Sequence, residues 1–165
     1  MPGVHGIRQY EKPVIRIDSL FDAAARAGKK VALVAVENSS MAVIFAGRPI
    51  DYYILPYDDE VNDKTVELLR EDRYDLIVAY NQEYDDKIHA YTPEAPEAMA
   101  AAKHHIDAFD RLASAAEESW SGHNGLILCA SDHGCHVDWD GHGNHGEYID
   151  EDINVLHFYG AVKKA

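Results

Sequence analysis

Unbroken apolar runs along the chain alternate with stretches in which apolar residues recur every third or fourth position. Val31 to Val36 is one such run, Tyr74 to Tyr80 and Gly125 to Ala130 are nearly continuous, and Asp51 to Leu55 is shorter. Runs of this length bounded by polar residues predict strands buried on both faces. Between them the spacing is helical. Asp18 and Ser19 can cap a helix through Leu20, Phe21, Ala24 and Ala25, which Gly28 ends as a left-handed stop. Asn62 to Arg70 predicts a second helix with Val66 and Leu69 inward. From about Pro93 to Trp120, the positions Met99, Ile106, Phe109, Ala113, Ala116 and Trp120 mark the apolar face of the longest helix, with both prolines near its start. Asn154 to Tyr159 reads as a last strand.

Strands alternating with helices predict an α/β fold, a largely parallel sheet flanked by helices. The chain shows no repeat, low-complexity segment or linker, so residues 1–165 are expected to form a single domain. Apolar residues make up 47% of the sequence, enough for a core and too many for intrinsic disorder. The formal net charge of -14 is spread along the chain, which argues against nucleic acid or an anionic membrane as partner. A phosphate ligand stays compatible with that charge if metal ions supply the positive counterpart. No stretch reaches the roughly 18 apolar residues of a membrane span, residues 1–5 lack the pattern of a signal peptide, and Cys129 and Cys135 suggest no disulfide framework. A cytoplasmic location is the expectation.

In open parallel sheets, ligands collect where strands end at their carboxyl side. Two polar clusters stand at such points. Tyr74 to Tyr80 runs into a segment containing Asp85, Asp86 and His89, and Gly125 to Ala130 runs into Ser131, Asp132, His133 and Gly134. Residues 131–147 hold four of the ten histidines. Carboxylate oxygen and neutral imidazole nitrogen are the common donors for zinc, manganese and related divalent ions. From the residues alone Asp86 is as good a donor as Asp85, and Asp132 and His133 suit either one ion or two neighbouring ions. His104 and His105 read as a surface pair on the long helix, Cys135 and His136 as loop residues, and Glu147, Asp150, Glu151 and Asp152 as a solvated acidic run. Tyr80 and Asn81 are candidates to contact a substrate phosphate, against the packing role usual for a strand-end Tyr.

The order of these motifs resembles the alkaline phosphatase superfamily, especially its phosphodiesterase/nucleotide pyrophosphatase and cofactor-independent phosphoglycerate mutase branches, from His5 to about Gly160. The resemblance is carried by "YNQEYDDKIH" (80–89), "SDHG" (131–134) and "GNHGE" (143–147), with "PGVHGI" (2–7) similar to the segment that closely follows the nucleophile in such enzymes. The family often has Gly where Ile88 stands. The resemblance implies an alkaline phosphatase-like fold in which Asp85, His89 and His145 surround one zinc or manganese ion and Asp132 and His133 belong to a second. His145 fits this pattern better than His142. A Thr or Ser nucleophile and an earlier aspartate are implied to come from a segment before His5, and with four residues there the chain is expected to lack that segment. The implied function is that of a metal-dependent phosphoester hydrolase or phosphotransferase acting on a phosphoester-containing small molecule. The alternative is a non-catalytic metal-binding remnant or subunit that associates with another chain. A missing amino-terminal strand and helix would leave apolar sheet exposed, which predicts a homo-oligomer.

Overall fold

The computed structural model describes residues 15–164, so the motif at residues 2–7 lies outside it. One compact unit ends at Gln82 and a second begins at Glu83.

The first unit is a three-layer α/β arrangement. Its sheet has strands β1 (Val31–Val36), β2 (Asp51–Leu55) and β3 (Leu76–Tyr80) in the order β2-β1-β3, all parallel. Every residue of central β1 is buried. Because successive side chains of a strand point to opposite faces, β1 feeds two cores. Ala32, Val34 and Val36 pack with Val61, Leu68 and Tyr74 on one face, and Val31, Leu33 and Ala35 pack with Phe21 on the other. Helix α1 (Leu20–Arg26) supplies Phe21, whose ring meets Phe45 edge-on at 4.8 Å between centroids. Its start is a capping box in which the Ser19 and Asp22 side chains each accept from the other's backbone N–H, and it stops just before Gly28 at φ +72. Leu20 is exposed, and Phe21 carries the contact. A short helix, α2 (Ser40–Ile44), was not foreseen, and α3 (Asp58–Glu71) is longer than expected and opens on three acidic residues that suit the positive end of its dipole.

In the second unit, α4 (Glu83–Ala90) follows β3 within three residues, a helix that the sequence reading did not assign. The long helix α5 (Pro96–Ser119) has proline in its first turn, as predicted, but its buried face is Ala98, Ala101, Ala108, Ala115 and Ala116. Met99 and Ile106 are exposed, contrary to the periodicity read from the larger residues. Small alanines allow close approach, and they, not the bulky positions, mark the contact stripe. Strand β4 (Gly125–Ala130) pairs antiparallel with β7 (His157–Val162) in a two-stranded ladder. Between them lie a β5 (His136–Val137) and β6 (Gly143–Asn144) ribbon and a one-turn helix, α6 (Asp150–Ile153).

Among the described residues no helix is long and apolar enough to cross a membrane. Both cysteines are free thiols.

Candidate metal centre

Helical geometry brings Asp85 and His89 together. Residues four apart on a helix share a face, so α4 presents both side chains in one direction, and the Asp85 Oδ1 to His89 Nε2 separation is 3.5 Å. His145 comes from just beyond β6, its Nε2 3.1 Å from that of His89 and 3.3 Å from Asp85 Oδ1.

The ribbon is seated on α4 by a close backbone contact at Gly143. Its N–H donates to the Tyr91 carbonyl at 2.8 Å, and a Cβ there would stand 2.6 Å from the Ile88 carbonyl oxygen, so only glycine fits. Ile88 itself is fully buried, which explains a bulky residue at this point of the helix. The Gly143 carbonyl accepts from His89 Nδ1 at 3.1 Å. A carbonyl can only accept, so the proton sits on Nδ1 and the Nε2 lone pair faces Asp85 and His145. That is how metal-ligating histidines are usually oriented.

Three features fit a divalent ion. Asp85 Oδ1 is buried and has no hydrogen-bond partner, a costly condition for a carboxylate oxygen unless a cation meets it. The three donor-to-donor distances, 3.1, 3.3 and 3.5 Å, exceed an ordinary charge-assisted hydrogen bond. They match the edge of roughly 3.3 Å that follows from tetrahedral metal bonds of about 2.0–2.1 Å. Finally, burial holds the His145 imidazole below the usual histidine range, helped by the nearby His133 and His89 rings against Asp85 and Asp132. The neutral ring is the form that donates a lone pair.

Asp132 and His133 follow β4 directly. His133 Nδ1 donates to the Gly134 carbonyl at 2.9 Å, again freeing Nε2, which lies 3.7 Å from Asp132 Oδ1. The His133 ring stacks on His145 with centroids 3.7 Å apart and planes within 19°. Imidazole lone pairs lie in the ring plane, so two nearly parallel stacked rings address two positions, not one. Among the described residues Asp132 and His133 join no group of three closely spaced donors, whereas Asp85, His89 and His145 form one.

His142 turns elsewhere, with Nδ1 3.5 Å from Asp140 Oδ1 on an exposed turn. His104 is not a simple surface residue: its Nδ1 is 2.6 Å from Glu83 Oε2, linking α5 to α4. Asn81 Nδ2 donates to Asn62 Oδ1 at 3.1 Å. Cys135 Sγ lies 3.6 Å from the Tyr84 hydroxyl, whose pKa burial pushes up to about 12. The acidic run expected to be solvated splits, because Asp152 is buried and its Oδ1 accepts from His136 Nδ1 at 2.8 Å. Sequence reading missed this pair.

The family model of the type I phosphodiesterase / nucleotide pyrophosphatases matches residues 5–161. Comparison with curated proteins gives no match.

Proposed function

The chain belongs to the type I phosphodiesterase / nucleotide pyrophosphatase family, within the alkaline phosphatase superfamily, and from that premise we propose that it is a metal-dependent phosphoester hydrolase or phosphotransferase domain. Asp85, His89 and His145 hold one divalent ion, zinc or manganese, and Asp132 with His133 hold a second. The observation that carries this reading is the buried, unpartnered Asp85 Oδ1 set against two imidazole nitrogens at 3.3 and 3.5 Å. The stacked pair supports two ions, since its 3.7 Å offset is close to the roughly 3.5–4 Å of two-metal phosphoryl-transfer sites.

When bound, such ions supply the positive charge that an in-line phosphoryl displacement requires at the attacking and leaving oxygens. The chain's own contribution is orientation. The Gly143 and Gly134 carbonyls fix the tautomers of His89 and His133, α4 holds Asp85 and His89 on one face, and burial keeps His145 neutral. The substrate in this reading is a small phosphoester, the metals offsetting an otherwise acidic chain.

The test is hydrolysis of a chromogenic phosphodiester by the purified chain, with metal content measured on the same sample. Activity abolished by chelator and restored by zinc or manganese is the expected result. A chain that retains no metal through gel filtration would sink the reading. A second reading, a metal-binding chain that is not catalytic by itself, is favoured by the contrast between the complete three-donor group of Asp85, His89 and His145 and the Asp132–His133 pair, which joins no such group among the described residues. Tight metal retention without turnover would select it.

A further inference from the structure

Asp152 lies in α6, five residues after Glu147 and sixteen after His136, and its side chain is 2% exposed. Oδ1 accepts from His136 Nδ1 at 2.8 Å and Oδ2 accepts from the Glu147 N–H at 2.8 Å. Its main-chain carbonyl accepts from the Gly134 N–H at 2.7 Å. That last bond requires unusually close backbones, for a Cβ on Gly134 would stand 1.9 Å from the Glu151 carbonyl oxygen. Gly134 is the residue after His133 and accepts the His133 ring proton; Glu147 is two residues after His145. One buried residue therefore fastens both stretches.

We propose that Asp152 is the positioning residue that holds His133 and His145 in their stacked arrangement, acting through Gly134 and His136 on one side and Glu147 on the other. This deepens the reading of His133 and His145 as metal-site residues and rests on it for its consequence, though not for its geometry. Asp152→Asn keeps one acceptor oxygen and puts an NH2 donor in place of the other, so either the Glu147 amide or the His136 ring loses its acceptor, while the main-chain bond from Gly134 stays. The common anchor is then broken on one side without any change in the donor atoms themselves. Outer partners of metal-ligating histidines typically change metal affinity about 10–100-fold when removed. Asp150 and Glu151, on the same helical turn but exposed, have no such bonds to either stretch and serve as controls.

The experiment uses the full chain and the variants Asp152→Asn, His136→Gln, Asp150→Asn and Glu151→Gln. Proton NMR of the chelator-treated protein reads the ring-current shifts of the His133 and His145 imidazoles, and competition with a chromophoric chelator reads zinc affinity. The visible spectrum of the cobalt-loaded protein reads ligand geometry. Expected are loss of the ring-current shifts and an affinity lowered about 10–100-fold in Asp152→Asn. A smaller change in the same direction is expected in His136→Gln, with no change in the controls. Wild-type shifts and an unchanged cobalt spectrum in folded Asp152→Asn would overturn the proposal. Should Asp152→Asn fail to fold, His136→Gln decides by the same readouts. A wild-type chain that shows the ring-current shifts but binds no metal refutes the metal reading alone, and Asp152 is then judged on the imidazole signals.

Discussion

The Nε2 atoms of His89 and His145 face each other at 3.1 Å, with Asp85 Oδ1 within 3.5 Å of both. Two imidazole lone pairs cannot point at one another without something positive between them, and the position is filled by a cation or by a shared proton. The two compete. Metal binding should release protons and weaken as the pH falls, because a protonated imidazole has no lone pair to donate. Asp85→Ala or His145→Ala should reduce zinc affinity by more than the roughly 10–100-fold typical of outer partners, since each removes a donor. Isothermal titration in buffers of different ionisation enthalpy measures both effects, and pH-independent binding would contradict the arrangement.

Gly143→Ala tests whether the ribbon must touch α4. A Cβ 2.6 Å from the Ile88 carbonyl oxygen and 2.9 Å from the Ile88 Cβ meets groups that cannot swing away. Overpacking of this kind costs about 1–3 kcal/mol, so urea unfolding should show a loss in that range. The His89 Nδ1 to Gly143 carbonyl bond should also break, giving metal affinity lowered in parallel with stability. A variant with normal stability would mean that the ribbon sits farther from α4.

The central strand of the first unit was legible in the sequence because it is buried on both faces. Val31–Val36 and Asp51–Leu55 have the expected limits, since an unbroken apolar run leaves little freedom of interpretation. The long helix was legible in length but not in orientation. Met99 and Ile106 dominate a hydrophobic count, yet the contact is made by alanines, whose small size lowers their weight in any pattern while permitting closer packing. The family motifs picked out Asp85, His89, Asp132, His133 and His145, and the fold brings the first two and His145 into mutual reach. Asp152 was not legible, because it ends an acidic run whose preceding members, Asp150 and Glu151, are exposed. Its burial depends on Gly134 and His136, residues from a separate part of the chain, and local pattern carries no trace of such a contact.

The His136–Asp152 pair should make the histidine segment pH-sensitive. The Asp152 hydrogen bond raises the His136 pKa above its usual 6.5, so its contribution is complete below pH 6.5 and lost as pH rises through the higher folded value. Burial opposes ionisation of Asp152, but the His136 ring and the Glu147 and Gly146 amides prevail and lower its pKa below 3.8. Its contribution is therefore present above pH 3.8 and lost as pH falls through the lower folded value. Protection of the Gly134 and Glu147 amides, corrected for intrinsic exchange, should be greatest between these limits and decline in alkaline solution. In His136→Gln the alkaline decline should vanish; its persistence would assign the effect to another group.

Metal stoichiometry separates the two functional readings at the level of individual residues. If the stacked rings of His133 and His145 address two positions, the wild-type chain binds two ions, and Asp132→Ala combined with His133→Ala removes one while leaving the ion at Asp85, His89 and His145. The converse pair, Asp85→Ala with His89→Ala, removes the other. Inductively coupled plasma measurements on protein equilibrated with limited zinc should thus step from two to one in both double variants. Phosphodiester turnover should fall in both as well, because an in-line displacement draws on charge at the attacking and leaving oxygens together. A wild-type value of one ion, unchanged by Asp132→Ala with His133→Ala, would leave the three-donor group as a binding site and place His133 among the residues that pack against it. Stacking would then serve to keep His145 buried and neutral, which is the property its own coordination needs.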